Sequence, residues 1–148
     1  RHVSLREKTE RLILGTIICK NIDPGKVFSV FAAKEFLAGP NTTLACAIDD
    51  MHLAGESISA AELYAHVAGT EAEELLTDLV VGIDESEYEH PISKMLSMLI
   101  VHRKNESVAR TRDLAKKVKE GVIKSGDPEF EEYLKLKRAS ASPFHREL

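Results

Sequence analysis

Three features of this sequence predict an all-α fold. Its 148 residues include only eight glycines and five prolines, aromatic residues make up 5%, and hydrophobic residues make up 43%. Leu, Ala, Glu and Lys favour helices and are plentiful, whereas no stretch of convincing length alternates apolar and polar residues as a β-strand does. The chain is long enough to bury a core. We therefore expect a helical bundle followed by a long helix and a C-terminal helical hairpin.

Three helices are expected before residue 55. For the first, Ser4 to Lys20, the pattern places Leu5, Leu12, Ile13, Ile17 and Ile18 on the core side and Arg6, Glu7, Lys8, Glu10 and Arg11 on the opposite side. A short second helix is expected at Asp23-Pro24, because Asp is a favourable cap and Pro suits the first helical position. After the break at Gly39-Pro40, we expect Asn41 to cap the third helix and Gly55 to end it.

Two capping boxes predict helices four and five. Ser59 precedes Glu62 by three residues, and Thr70 precedes Glu73 by the same interval. In a capping box the hydroxyl and the carboxylate each accept a hydrogen bond from a free backbone N–H of the first turn. Gly82 is expected to end helix five.

A long helix is expected from Pro91 to Lys124, because only Gly121 interrupts this stretch. Its apolar stripe stops at Ile100 and resumes at Leu114, Val118 and Val122, so the polar stretch between is expected to bridge two packed units. We assign residues 1–100 to an N-terminal helical bundle, residues 101–140 to the connecting helix and hairpin, and residues 141–148 to a flexible tail.

A turn at Ser125-Gly126-Asp127-Pro128 predicts the hairpin, with Gly126 ending one helix and Asp127 capping the next. Phe130, Tyr133, Leu134 and Lys137 follow at helical spacing. Two short helices with so few large apolar residues cannot form an independent core of normal stability. The hairpin therefore either packs back on the bundle or presents Phe130, Tyr133 and Leu136 to another protein, and we favour the second.

Charge is unevenly distributed along the chain. Residues 1–88 carry a net charge of −8 and residues 89–148 carry +4. Basic residues cluster along the long helix at Arg103, Lys104, Arg110, Arg112, Lys116, Lys117 and Lys119. Because Glu106, Asp113 and Glu120 are interleaved with them and no aromatic residues accompany them, we expect a solvated helix and no direct binding of nucleic acid.

No motif for catalysis or metal binding is expected to act in this chain. Three acid and His pairs at helical spacing, Asp49 with His52, Glu62 with His66 and Glu87 with His90, are interpreted as solvated surface pairs.

Cys19 and Cys46 are interpreted as buried, reduced cysteines of a cytoplasmic protein. No apolar run reaches the length of a membrane span. Because the chain opens with Arg1 and has no signal-peptide pattern, we expect it to be a piece of a longer protein.

The order of these features resembles the C-terminal domain of bacterial DNA primases of the DnaG type. The resemblance covers nearly the whole chain and rests on residues 10–15 in helix one, Phe36, the turn from Gly55 to Ile58, the long helix, and the hairpin that begins at Asp127-Pro128. The first part is equally similar to the N-terminal domain of the hexameric replicative helicase, which remains the alternative. The hairpin at residues 129–136 favours the primase.

The resemblance implies a non-catalytic, helicase-binding module of a cytoplasmic replisome. Such a module docks on the N-terminal domains of the replicative helicase, recruits primase to the fork and modulates helicase activity. The catalytic domains, with their zinc and magnesium, would lie upstream, so no cofactor is expected here. Carried over by position, the residues implied to contact the helicase are Phe130, Tyr133, Leu134, Leu136, Lys137 and Arg138, with Phe144 as a possible addition.

Overall fold

The computed structural model describes residues 3–82 and 91–140, and within these ranges the chain forms helices and turns without a β-strand. The α-helices are α1 (Leu5–Cys19), α2 (Pro24–Phe28), α3 (Pro40–Leu53), α4 (Ala60–Val67), α5 (Ala72–Thr77), α6 (Ile92–Lys119) and α7 (Pro128–Ser140). A 3-10 helix covers Ala33–Glu35, and a π-helical turn covers Asp78–Gly82. The predicted all-α class is confirmed. The predicted tail, Phe144 and the Glu87 and His90 pair lie outside the described residues.

The chain divides into two compact units, Arg1–Ile100 and Val101–Leu148. Helix α3 is central to the first unit, because it packs against α1, α2, α4, α5 and the 3-10 helix. The side chains of Leu44, Ile48 and Met51 on α3 are completely buried. The remaining large core side chains come from every neighbouring element: Ile13, Leu14, Ile17, Val27, Phe31, Phe36, Leu63, Leu76, Leu79, Met95 and Leu99.

Several predicted caps are present at the starts of the helices. Asp23 accepts a hydrogen bond from the Gly25 N–H at the start of α2, and the Ser59 hydroxyl accepts one from the Glu62 N–H at the start of α4. Before α5 the Thr70 hydroxyl accepts from the Ala72 N–H. Helices α2 and α4 therefore begin where the sequence predicts, since their cap residues satisfy N–H groups that have no partner within the helix. The predicted cap of α5 is wrong by one residue: Glu71 takes the cap position, and the Glu73 carboxylate accepts from the Gly69 N–H.

The predicted cap of α3 is wrong. The residue at the cap position is Gly39, with φ of +116°, and Pro40 takes the first helical position. Asn41 lies inside the helix and is 2% exposed. Its side-chain amide donates to the Glu7 carbonyl oxygen at 3.3 Å and to Glu10 Oε1 at 2.8 Å, so it joins α3 to α1 instead of capping α3.

The predicted orientation of α1 is also wrong at two positions. Leu5 was placed on the core side and Glu10 on the solvent side, but Leu5 is 62% exposed and Glu10 is completely buried. The Glu10 carboxylate accepts from the Leu37 N–H at 3.0 Å and from Asn41, and the Arg6 guanidinium donates to it at 3.1 Å. A buried carboxylate is tolerated where its oxygens are hydrogen-bonded in this way.

Arg6 extends this polar cluster to the 3-10 helix. Its Nη2 donates to the Glu35 carbonyl oxygen at 2.7 Å, and its guanidinium lies over the Phe31 ring at 5.8 Å from the centroid. Burial raises the pKa of Glu10 above its ordinary value of 4.5, and the hydrogen bonds from Asn41, Leu37 and Arg6 lower it by less. The Glu10 carboxylate thus joins three segments of the chain, although its burial removes it from water.

The interpretation of both cysteines as buried is wrong for one of them. Both cysteines are reduced, but Cys19 is exposed at the end of α1, and Cys46 is half-buried. The Cys19 Sγ lies 3.8 Å from the Leu79 carbonyl oxygen. Cys19 is the last residue of α1, and the last buried residue of this helix is Ile17.

Replacement of Glu10 by Ala should lower the free energy of unfolding by about 3 kcal/mol, because the Leu37 N–H and the Asn41 amide would stay buried without an acceptor. Urea unfolding followed by circular dichroism measures this change. Glu7→Ala on the same helix is the matched control, and an equal loss in both variants would contradict a special role for Glu10.

Replacement of Glu10 by Gln should change how stability depends on pH. Because the folded chain holds the Glu10 proton more tightly than the unfolded chain, the part of the stability that comes from this proton is complete below pH 4.5 and is lost as the pH rises through the raised pKa. The stability of the wild type relative to Glu10→Gln should therefore fall from acid to neutral pH. Unfolding curves at several pH values test this, and a constant difference would show that the pKa is not raised.

Candidate docking surface on the C-terminal hairpin

The hairpin consists of residues 101–119 of α6, the turn 120–127, and α7. Helix α6 ends at Lys119, earlier than the expected Lys124, and Gly121 follows with φ of +76°. Glycine adopts this left-handed conformation without a Cβ penalty and ends a helix by redirecting the chain. Pro128 then takes the first position of α7, as predicted.

The early end of α6 changes which apolar residues are buried in the hairpin. Leu114 is completely buried, as expected, and Val118 is half-buried. Val122 was predicted to continue the stripe but is 66% exposed, whereas Ile123 is 4% exposed. The spacing of a helical stripe no longer applies once the chain leaves the helix at Gly121.

Asp127 closes the turn instead of capping α7 with its side chain. Its carboxylate accepts from the Lys124 N–H at 2.9 Å, while its carbonyl oxygen accepts from the Phe130 N–H at 3.0 Å. The Asp127 carbonyl oxygen also accepts from the Glu131 N–H at 3.3 Å, so Asp127 holds the predicted cap position through its backbone while its side chain bonds to the preceding segment. The aspartate still fixes where α7 begins, because it lies between the two helices.

A cluster of charged side chains joins α6 to α7. Arg110 donates two parallel hydrogen bonds to Glu132, from Nε at 2.8 Å and from Nη2 at 3.0 Å. Glu129 and Asp113 lie 3.7 and 3.6 Å from the same guanidinium. Lys117 lies 3.5 Å from both of these acids. The paired geometry of a guanidinium and a carboxylate is the strongest arrangement of this kind at a surface.

Arg110 and Glu132 each shift the pKa of the other. The hydrogen bond from Arg110 holds the pKa of Glu132 below its ordinary value of 4.5, with a smaller effect from the charge of Lys117. The bond to Glu132 likewise raises the pKa of Arg110. Both side chains therefore stay charged at neutral pH and fix the position of α7 against α6.

Sequence analysis did not identify this cluster. Arg110 and Lys117 were counted with the other basic residues of α6, and Glu129 and Glu132 were not paired with them. Gly121 offered one signal for Lys117 and Glu129, because a turn that begins near Gly121 and ends before Pro128 places these two residues at similar distances on its two sides. Nothing similar points to Arg110, whose reach depends on its long side chain.

The predicted docking residues lie on α7 with different exposure. Phe130, Tyr133, Leu134 and Leu136 are half-buried, and Lys137 and Arg138 are exposed. The Phe130 and Tyr133 rings are 6.4 Å apart between centroids, and Lys137 Nζ lies 5.5 Å from the centroid of the Tyr133 ring. These contacts join two aromatic rings and a cation into one surface.

Leu136 differs from the other predicted residues in its helical position. It follows Glu129 and Glu132 at intervals of seven and four residues, so it lies between them on the side of α7 that carries the acids paired with α6. Tyr133, four residues after Glu129, lies at the edge of that side next to Phe130. Phe130, Leu134 and Lys137 follow one another at helical spacing on another side. We use the term aromatic patch for Phe130, Tyr133, Leu134 and Lys137.

For Asp49 with His52 and Glu62 with His66, the structure pairs each His with a different acid from the one that the spacing suggests. His52 Nδ1 lies 3.8 Å from Asp23, and His66 Nε2 lies 3.6 Å from Glu56. His66, Glu56 and Glu62 line an open depression of about 410 Å³. Over residues 3–82 and 91–140, no three His, Cys, Asp or Glu side chains are grouped so that they could hold a metal ion.

No family model, curated protein or solved structure matches this chain. Within the described parts of the chain, no helix combines the length and the apolar character that crossing a bilayer requires.

Replacement of Arg110 by Gln should raise the pKa of Glu132 towards 4.5, because the variant removes both the hydrogen bonds and the charge that lower it. In the wild type, the stabilisation from Glu132 is present above pH 4.5 and is lost as the pH falls through the lowered pKa. An NMR titration of the Glu132 side chain measures the shift. Lys117→Gln is the matched control and should raise the pKa less, so equal shifts would contradict the dominance of Arg110.

Proposed function

We propose that this chain is the helicase-binding module of a bacterial primase of the DnaG type. In this proposal the module is not itself catalytic, docks on the N-terminal domains of the hexameric replicative helicase, recruits primase to the replication fork in the cytoplasm, and modulates helicase activity. The observation that carries the proposal is the aromatic patch on α7, together with the resemblance of the sequence to the primase domain.

The small core of the hairpin supports a docking role. Among its described residues only Leu114 and Ile123 are buried hydrophobic side chains. Polar contacts around Arg110 supply the other close link between α6 and α7. Large side chains of α7 remain partly accessible, and such side chains are typical anchors of protein interfaces.

The composition of the patch also suits a protein partner. Tyrosine, phenylalanine and leucine supply contact area, while the neighbouring Lys137 supplies a charge at the edge. Apolar anchors surrounded by charged groups are the usual arrangement where one helix docks in a groove of another protein. The charge cluster on the other side of α7 would hold the helix in place before docking and so lower the entropic cost of binding.

Replacement of Tyr133 or Phe130 by Ala should weaken binding to the replicative helicase of the same organism by about 30-fold, equivalent to about 2 kcal/mol, because each removes an aromatic anchor. Isothermal titration calorimetry with the hexameric helicase measures this loss. The thermal melt of each variant should stay close to that of the wild type.

Tyr64→Ala provides a matched control, because it removes a half-buried aromatic ring from the first unit. This variant should bind the helicase as the wild type does. Unchanged binding by both α7 variants would refute the proposed docking site. Self-association of the chain into rings, without helicase binding, would instead favour the N-terminal domain of the helicase.

A further inference from the structure

The charged residues of α6 that contact α7 lie on one side of the helix, although acidic and basic residues alternate along its sequence. Arg110 and Lys117 bind the acids Asp113, Glu129 and Glu132, so one side of the helix is neutralised against α7. Leu114 on that side is completely buried. The interleaved acid Asp113 thus belongs to the side that contacts α7.

Three cations lie on the opposite side of α6. At about 100° per residue, Arg112, Lys116 and Lys119 are each rotated by about 140° to 160° from Leu114. All three side chains are exposed. They follow one another at intervals of four and three residues and span about 10 Å along the helix axis. We call these three residues the basic face.

The basic face carries more positive than negative charge among the described residues around it. The salt bridges of the hairpin involve other cations, and none joins Arg112, Lys116 or Lys119 to a described residue. Glu106 is already engaged in an interaction. Glu120 follows Lys116 by four residues and donates its N–H to the Lys116 carbonyl oxygen, so it lies about 40° from Lys116 on the same side of the helix. A net charge of about +2 is therefore available to an anionic partner.

The chemistry of the face favours phosphate over an acidic protein. The apolar residue beside it is Val108, which is 45% exposed, and valine is under-represented among the side chains that anchor protein interfaces. A guanidinium and two ammonium groups on a straight helical side match successive phosphates of a nucleic-acid backbone. No aromatic ring accompanies them on α6, so the unpaired bases of a single strand would have nothing on which to stack.

The sequence alone led us to expect no direct binding of nucleic acid, but the contacts of Asp113 with Arg110 and Lys117 remove one interleaved acid from this side. We therefore propose that the basic face of α6 binds the phosphate backbone of double-stranded nucleic acid, without reading its sequence. The interaction is electrostatic, and it is weak because the whole chain carries a net charge of −4. It uses a different helix from the aromatic patch and does not depend on helicase docking.

The test is binding of a short fluorescein-labelled DNA duplex to the full chain, followed by fluorescence polarisation over a range of sodium chloride concentrations. Three phosphate contacts predict a slope of about −3 for the logarithm of the association constant against the logarithm of salt concentration. Replacement of Arg112, Lys116 and Lys119 together by Gln should lower affinity at least about tenfold and bring the slope towards zero. Glutamine preserves helix propensity, so α6 should stay folded.

The matched control replaces Lys20, Lys26 and Lys34 by Gln, which removes the same charge from exposed positions of the first unit. This variant should bind the duplex nearly as the wild type does. An equal loss in both triple variants would show a general charge effect and overturn the proposal. So would the absence of binding at low salt, tighter binding of a single strand of the same length, or tighter binding of polyglutamate than of the duplex.

Discussion

The buried carboxylate of Glu10 is the constraint on which the first unit depends. It receives hydrogen bonds from α1, from α3 and from the backbone at Leu37, so one side chain fixes the positions of three segments. The apolar core around α3 supplies most of the free energy of burial. Apolar contacts lack direction, whereas the bonds to Glu10 have defined geometry and require α1 and α3 to meet at these residues. Arg6 then extends the same cluster to the 3-10 helix.

The second unit is stabilised by a different balance of forces. Its described residues bury Leu114 and Ile123, and the bidentate pair of Arg110 and Glu132 joins its two helices. A surface pair adds little to stability, but its fixed geometry sets which side of α7 contacts α6. The aromatic rings of α7 are thereby left partly accessible. A domain that presents a docking helix benefits from this arrangement, because large apolar side chains are kept available without being fully buried.

The two proposed activities use different sides of the hairpin. The aromatic patch lies on α7, and the basic face lies on α6 away from the contacts to α7. Both surfaces depend on the charge cluster between α6 and α7. In this cluster Arg110 and Lys117 bind Asp113, Glu129 and Glu132, so these acids do not pair with the cations of the basic face. A protein that docks through α7 would therefore leave Arg112 and its neighbours accessible. The net charge of the whole chain hides this local excess of positive charge.

Local sequence signals determined the fold class and most helix boundaries, because caps, prolines and glycines act within a few residues. Asp23, Ser59 and Pro128 start helices as expected, and Gly55 follows α3 with φ of +75°. They also placed a turn before Pro128 and the aromatic residues Phe130 and Tyr133 on the helix that follows it. Only the tertiary structure decided that Glu10 is buried, that Ile123 replaces Val122 in the core, and that Arg110 meets Glu132. These outcomes depend on contacts between residues that are distant in sequence. The spacing of residues along one helix does not show which residues of another helix will contact them.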